Sequence, residues 1–414
     1  MRTAATALTA LAVLPAVLPA QARLEPNDPW FPQQVSFQAG AGRTSFLRRS
    51  NAVRTDTVEV AAGVTPDLPA AWALTTGSRS VIVAILDDGF FYRHEDIQGN
   101  IWANPGESGT DGQGLERATN GIDDDGNGFV DDVIGWDFVF DDPDPDHYVF
   151  DGMDRSRVQP YSHSIPALGI IGARGDNGVG VAGINWNVSM MLLKIGAQGT
   201  RRGEVDSARV TRAAQAIRYA ADNGARIINW SGFVQVRDSV ALVPLRAAVD
   251  YAASRGVLLI TGAGNDGVDL DDDRNCMFPQ CFDAPNQIRV AEADFDGGLF
   301  HYRVQEQVRG SNFGRRRVEI AALGRHFTTD LYQGQSTYGE SGGTSNAGPV
   351  VAGVAALMLA ARPDLSGARI KALILASATP LPVLSGRVLT GGVVNAYRAV
   401  RMALDEPRVP VPPL

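Results

Sequence analysis

Alternation between helical patterns and short apolar strands is the feature of this sequence that most constrains its fold. Residues 207–223 carry a helical pattern and residues 225–231 follow as an apolar strand. The same unit repeats at once, with a helical pattern over residues 240–255 and an apolar strand over residues 257–260. Strands joined by a crossover helix run parallel in one sheet. The sequence therefore predicts an α/β fold with a doubly wound, mostly parallel sheet and helices on both faces.

Polar residues stand where two of the predicted strands end. Residues 80–86 form a continuous apolar run, typical of a strand buried on both faces, and Asp87 follows directly. The strand over residues 257–260 leads through Gly262 to Asn265. Ligands of open α/β sheets bind at the carboxyl ends of the strands. We therefore expect Asp87 and Asn265 to lie in a functional site.

His163 and Ser345 add a candidate base and a candidate nucleophile to Asp87 and Asn265, so that the four residues could catalyse acyl transfer. Of the five histidines, His163 stands in a polar segment that opens a helix, where its imidazole can face a cleft. Ser345 lies at the start of residues 344–361, an uncharged stretch that predicts a helix buried on all sides. Taken singly, Asp87 fits a strand end, Asn265 a turn and Ser345 a helix cap. Together with His163 they favour catalysis.

Four segments in this order resemble the subtilases. Residues 83–89 match that family's aspartate strand, residues 163–169 its histidine helix, residues 264–265 its oxyanion asparagine and residues 343–349 its serine helix. Weaker motif matches extend the resemblance over residues 66–404. A chance match of four ordered motifs is very rare, although each motif alone is weak.

The resemblance implies a serine endopeptidase that hydrolyses protein or peptide substrates through an acyl-enzyme intermediate. Asp87, His163 and Ser345 would be the catalytic triad and Asn265 the side-chain donor to the oxyanion. The same comparison implies that the substrate-binding residues are Ser231, Gly232 and Gly262. A catalytically silent binding or scaffold protein on the same fold is the alternative.

Several neighbours of these residues depart from the family's pattern. Asp88 follows Asp87 where subtilases usually carry a small hydroxyl residue. Ser164, Ile165 and Pro166 follow His163 where the family has a different pattern, and Phe233 stands beside the substrate-binding residues. Bulk at Ile165 and Phe233 predicts that only a narrow range of peptides fits the cleft.

An acidic run over residues 123–132 predicts structural calcium. Oxygen ligands recur at alternate positions around a glycine, as at the start of an EF-hand loop, but Ile134 stands where that loop has its bidentate glutamate. A solvated acidic loop is the alternative. The resemblance also implies a second site at Asp96 and Asn177. The ligands expected in the acidic run are Asp123, Asp125 and Asn127, with Asp131 or Asp132 supplying the missing carboxylate.

The N-terminus predicts export. Residues 1–22 combine Arg2, an apolar stretch and a small-x-small end, which is typical of a signal peptide, although a membrane anchor is the alternative. We expect a secreted or periplasmic protein without a membrane anchor after cleavage. In such an oxidising compartment, Cys276 and Cys281 are expected to form a disulfide bond.

The remaining expectations concern domains and partners. Residues 23–65 show no sustained periodicity and predict an extension that wraps the surface. The resemblance implies that residues 66–404 form the peptidase domain, and residues 405–414 are expected to be a Pro-rich tail. A net charge of -9 argues against a nucleic-acid partner, since such a surface cannot neutralise many phosphates. We expect a monomer.

Overall fold

A computed structural model describes most of the chain. The described residues are 22–38, 40–49, 53–147, 162–196, 205–236 and 238–408. The predicted signal peptide, apart from residue 22, and the last part of the predicted tail, residues 409–414, lie outside them.

Helices and strands alternate from α2 to β7, as the sequence predicts, whereas other parts of the described chain contain several strands in succession. The helices are α1 (Leu68–Trp72), α2 (Ile165–Gly172), α3 (Val205–Asp222), α4 (Val243–Ser254), α5 (Thr344–Ala361), α6 (Gly367–Ala376) and α7 (Ala396–Asp405). The strands are β1 (Gly42–Arg49), β2 (Val53–Val60), β3 (Gly77–Asp87), β4 (Gly135–Asp137), β5 (Asn187–Lys194), β6 (Ile227–Trp230), β7 (Leu258–Gly262), β8 (Gln287–Ala293), β9 (His301–Val304), β10 (Gln307–Gly310), β11 (Ile320–Leu323), β12 (His326–Tyr332), β13 (Gln335–Ser341), β14 (Thr379–Pro380) and β15 (Gly392–Val393).

The central sheet has nine strands in the order β14-β15-β11-β8-β7-β6-β3-β5-β4. Its neighbours pair in parallel except β14, which runs antiparallel to β15 at one edge. After β3 the chain first builds β4 and β5 on one side and then crosses to β6 on the other. This arrangement confirms the predicted doubly wound, mostly parallel α/β fold. The strand order reverses at β3, so the end of β3 is the position where such sheets form ligand sites.

The two faces of the sheet are covered by different helices. Val83 and Ile85 of β3 belong to the buried cluster that contains α5, whereas Ala84 and Leu86 belong to the cluster that contains α3 and α4. Alternate residues of a strand point to opposite faces, so an unbroken apolar run is what a strand covered on both sides requires. The sheet thereby holds the residue that follows, Asp87, in a fixed position.

Helix α5 has the length and composition of a membrane-spanning helix, yet it lies in the protein core. Of its apolar window, 83% is buried inside the protein. Gly353 permits close packing, since a Cβ there would meet Ile184 at 2.8 Å. Among the described residues α5 is the one helix that passes this test of length and composition. Its burial accounts for the absence of charge along it.

The N-terminal extension packs against the α/β fold and contributes residues to its core. Phe31 and Phe37 are 6% and 1% exposed and belong to the same buried cluster as α5. The amide of Gln34 donates to the carbonyl of Ala182 at 2.8 Å and accepts from the N–H of Ala182 at 2.8 Å. Strands β1 and β2 form an antiparallel hairpin within the segment that shows no periodicity in the sequence. The extension therefore supplies core residues as well as surface.

Candidate active site

Three side chains from separate elements form a chain of hydrogen bonds at the end of β3. Asp87 is the last residue of β3 and is 3% exposed. His163, which precedes α2, donates from Nδ1 to the two Asp87 oxygens at 2.8 and 3.0 Å. Its other nitrogen, Nε2, lies 3.0 Å from Oγ of Ser345, the second residue of α5. A carboxylate, an imidazole and a hydroxyl connected in this order are the groups that activate a serine nucleophile.

The residues on either side of His163 hold it against the turn that follows Asp87. The hydroxyls of Ser162 and Ser164 both donate to the carbonyl of Gly89, at 3.1 and 2.6 Å. Gly89 has a φ of 108°, and a Cβ there would meet the carbonyl of Asp146 at 2.8 Å. A side chain at this position would be strained in conformation and in space, so the turn requires glycine.

Hydrogen bonds to two side chains fix the N-terminus of α5, which carries Ser345. The N–H of Thr344 donates to Asn265 Oδ1 at 2.9 Å, and the N–H of Gly343 donates to Glu292 at 3.0 Å. Because the carbonyl oxygen of the Asn265 amide is engaged, its NH₂ group is the part that can donate to a ligand. The helix N-terminus favours negative charge at the same place. Asn265 and the start of α5 can thus stabilise an oxyanion beside Ser345.

Asp87 controls the electrostatics of His163. Its negative charge is the largest cause that raises the pKa of His163 to about 9. Asp88 lies next in the chain, and burial raises the pKa of its carboxyl group. The guanidinium of Arg209 pairs with Asp88 at 2.8 Å and opposes that rise. Subtilases usually carry a small, uncharged hydroxyl residue at the position of Asp88. The negative charge that Asp88 adds here is balanced by Arg209 of α3.

Two of the strand ends that border Ser345 carry the predicted substrate-binding residues. Ser231 follows β6, and its hydroxyl donates to the carbonyl of Ser345 at 2.8 Å. The carbonyl of Ser231 lies 3.3 Å from the hydroxyl of Ser345. Gly262 ends β7 against α5, where a Cβ would meet the carbonyl of Thr344 at 2.7 Å. The structure therefore places Ser231 and Gly262 against the start of α5, and Gly232 is the next residue after Ser231.

The acidic loop brings three carboxylates together, one of which the sequence does not signal. Oxygens of Glu107, Asp123 and Asp125 lie within 4.8 Å of one another. Glu107 is fully buried, and its Oε2 has no hydrogen-bond partner among the described residues. Burial raises the pKa of this carboxyl group. A lone glutamate before the acidic run has no ligand pattern, so only the fold reveals it.

The other predicted ligands of this loop make hydrogen bonds within the protein. Asp132 is fully buried and accepts from the amide of Asn127 at 2.9 Å and from the hydroxyl of Tyr219. Asn127 accepts from the N–H of Phe129 at 2.8 Å, and Asp131 accepts from the N–H of Gly121 at 3.1 Å. These bonds fix the loop around the three clustered carboxylates.

The second predicted metal site holds its two residues side by side. The amide of Asn177 donates to Asp96 at 3.0 Å, and the N–H of Val181 donates to the other Asp96 oxygen at 2.8 Å. Burial is the largest cause that raises the pKa of Asp96 to about 7. In this arrangement Asp96 organises the turn that contains Asn177.

The two cysteines form a disulfide bond, with 5.6 Å between the Cα atoms of Cys276 and Cys281. The bridge closes a short loop next to the residues that follow β7. The predicted pairing is therefore present in the structure.

Comparisons with known proteins agree with this geometry. The sequence model of the subtilase family matches residues 78–397. Subtilisin-like protease 1 of Plasmodium berghei is 24% identical over 80% of this chain and 51% of its own length. Thermitase of Thermoactinomyces vulgaris is 28% identical over 80% of this chain and 92% of its own. The chain thus spans about half the length of the Plasmodium relative. A solved protease structure from Pseudoalteromonas arctica shares the fold, with a TM-score of 0.64 and 24% identity over 91% of this chain and 99% of its own.

Proposed function

Because this chain belongs to the subtilase family, we propose that it is a secreted serine endopeptidase that hydrolyses peptide bonds in protein or peptide substrates. The observation that carries the proposal is the hydrogen-bond chain from Asp87 through His163 to Ser345. Nucleophile and base are within direct reach, and the base is oriented by a buried carboxylate. The predicted signal peptide and the disulfide bond support export, because disulfides persist in oxidising compartments.

The first half of the proposed reaction forms an acyl-enzyme. Ser345 Oγ attacks the carbonyl carbon of the scissile bond while His163 Nε2 takes the hydroxyl proton. Negative charge develops on the carbonyl oxygen, where the Asn265 NH₂ group and the backbone N–H of Ser345 would donate. The C–N bond then breaks as His163 returns the proton to the leaving amine. Asp87 stays ionised and stabilises the imidazolium throughout.

Water completes the reaction by the same route. His163 takes a proton from the attacking water, and the hydroxyl oxygen bonds to the acyl carbon. The ester bond to Ser345 breaks and the proton returns to its Oγ, which releases a carboxylic acid and restores the enzyme. The substrate backbone would lie along Ser231 and Gly232 on one side and the residues after Gly262 on the other.

The acidic loop is proposed to hold structural calcium. The donor set suits this ion, since Glu107, Asp123 and Asp125 offer carboxylate oxygens at close quarters. Among the described residues the buried Oε2 of Glu107 has no hydrogen-bond partner, which supports the assignment, because such an atom is costly without a compensating charge or donor. When bound, calcium would neutralise the cluster and stiffen the loop.

Covalent labelling tests the proposed function directly. A fluorophosphonate probe should react with the wild-type protein and with Ser254→Ala, in which an exposed serine at the end of α4 is removed. It should not react with Ser345→Ala. Peptide cleavage should follow the same pattern. Absence of labelling in a folded wild-type protein would contradict the proposal and favour a non-catalytic binding protein on the same fold.

A further inference from the structure

The two segments proposed to bind substrate, one after β6 and one at the end of β7, diverge beyond the last pair of these strands. Strands β6 and β7 pair in parallel as far as Trp230 and Thr261. Further along lies an open cavity of about 330 Å³, with residues 235–236 on one wall and Asp266 and Val268 on the other. The ladder of backbone hydrogen bonds between β6 and β7 therefore ends before this cavity begins.

Gln280 joins the two segments just past the last strand pair. It is 1% exposed, and its side-chain NH₂ group donates to the carbonyl of Gly232 at 3.1 Å and to the carbonyl of Gly262 at 2.9 Å. Both partners are acceptors, so only the NH₂ end of the amide can face them. One side chain thus continues the connection between the two strands where their own hydrogen bonds stop.

The two donors of this amide, more than its bulk, account for a glutamine at this position. The side-chain oxygen of Gln280 is buried and has no hydrogen-bond partner among the described residues. A buried oxygen without a partner costs free energy that an apolar side chain of similar size would not incur. The hydrogen bonds that the NH₂ group makes to the two segments offset this cost.

The loop that carries Gln280 is itself held in place. The Cys276–Cys281 disulfide closes it. The guanidinium of Arg289 donates to the carbonyl of Gln280 at 3.0 Å while it pairs with buried Glu319 at 2.8 Å. Because its backbone is fixed in this way, the Gln280 side chain can hold the segments that it contacts.

Both carbonyls that Gln280 binds belong to backbone that reaches the nucleophile. Gly232 follows Ser231, whose hydroxyl donates to the carbonyl of Ser345 at 2.8 Å. Gly262 lies against the start of α5, since a Cβ there would meet the carbonyl of Thr344 at 2.7 Å. In the proposed reaction the substrate backbone lies along both segments. The distance between them then decides whether an extended peptide can contact both at once.

We propose that Gln280 is a positioning residue, which holds the two substrate-binding segments at the separation that an extended peptide requires. The inference rests on the proposed peptidase function and adds a residue that acts on substrate binding. The hydrogen bonds that activate the nucleophile run through Asp87, His163 and Ser345. Loss of the Gln280 amide should therefore raise KM for a peptide more than it lowers kcat.

The substitution Gln280→Met tests the proposal, because it removes both donors from an unbranched side chain of similar length. KM for a peptide that spans both segments should rise by about 10- to 100-fold, since a misplacement near 1 Å can cost about a hundredfold. The rate of labelling by the fluorophosphonate probe should change less than KM, because the probe reacts at Ser345 and is too small to span both segments.

Asn286→Leu is the matched control. Asn286 is 5% exposed, and its NH₂ group donates to the carbonyl of Val257 at 3.0 Å, next to the opposite end of β7. Its side-chain oxygen likewise has no hydrogen-bond partner among the described residues. Each substitution leaves a buried carbonyl without its donor, so both should lower the melting temperature. Only Gln280→Met should raise KM.

Labelling with the fluorophosphonate probe separates the two ways to fail. An unlabelled, folded wild-type protein would refute the peptidase function and the positioning role with it. A folded, labelled Gln280→Met enzyme with an unchanged KM would overturn the positioning role and leave the function standing.

An equal rise of KM in Asn286→Leu would also overturn the positioning role, because the effect would then follow from lost stability and not from the spacing of the segments. If Gln280→Met does not fold, Gln280→Asn replaces it in the same comparison. This variant keeps a buried amide on a side chain that is one methylene shorter and cannot reach both carbonyls. Its KM should rise as well, and an unchanged KM would overturn the role.

Discussion

Replacing Asp87 with asparagine should lower the pH at which activity is half-maximal. Asp87 is the largest cause that raises the pKa of His163 from 6.5 to about 9. The base must be neutral to take the Ser345 proton, so wild-type kcat/KM should rise about tenfold per pH unit up to about pH 9. Without the Asp87 charge the midpoint should move towards 6.5. The plateau should also fall by about 10⁴, since asparagine favours the wrong imidazole tautomer.

The size of the effect follows from the raised pKa. The difference between 6.5 and about 9 corresponds to about 3 kcal/mol in favour of the imidazolium, at 1.36 kcal/mol per pKa unit. The His163 side chain is 31% exposed, so solvent screening makes this figure an upper bound. The stabilisation is fully present below pH 6.5 and is lost as the pH rises through about 9. The melting temperature of the wild type relative to Asp87→Asn should therefore be highest below pH 6.5.

Two measurements check the reasoning. A pH–rate profile with a reactive ester gives the kinetic midpoint, and an NMR titration of His163 gives its pKa directly in both proteins. Asp250→Asn is the matched control, because this carboxylate is exposed on α4 and pairs with Arg246. It changes the net charge equally and should leave both quantities unchanged. A His163 pKa that stays near 9 in Asp87→Asn would refute the assignment of Asp87.

Two further predictions concern the oxyanion donor and the metal. Asn265→Ala should lower kcat by about 10²- to 10³-fold with little change in KM, as steady-state kinetics can measure, and an unchanged kcat would exclude Asn265 from the reaction. Calcium added to chelated protein should raise the melting temperature, with a stabilisation of about 2.7 kcal/mol at a hundredfold excess over Kd. Glu107→Gln should weaken that response, and a melting temperature that is constant across the millimolar range would refute the calcium site.

Local sequence patterns were sufficient for the elements that carry the site. Residues 344–361 were predicted as a buried helix, and α5 has those bounds. Other boundaries were wrong by a few residues. Helix α4 begins at Val243 rather than at residue 240, where Pro244 suits the first turn.

Contacts between distant parts of the chain account for what the sequence did not predict. Glu107 has no motif, and it becomes a candidate ligand only because folding buries it beside Asp123 and Asp125. The helical periodicity around Arg209 does not indicate a partner for it, yet in the structure its guanidinium pairs with Asp88. Gln280 carries no sequence signal either, yet its side-chain NH₂ group donates to the carbonyls of both Gly232 and Gly262. Periodicity reports which face a residue occupies, whereas partners of this kind are set by how the elements pack.

If the protein is a peptidase as proposed, the burial of Phe31 and Phe37 has a consequence for cleavage of one copy by another. Cleavage requires an extended, accessible stretch of chain, and residues 31–37 become accessible only if both aromatic rings leave the core they share with α5. The two hydrogen bonds between Gln34 and Ala182 must break in the same event. Self-digestion within residues 31–37 would therefore be limited by a partial unfolding of the protein and not by the sequence of the segment.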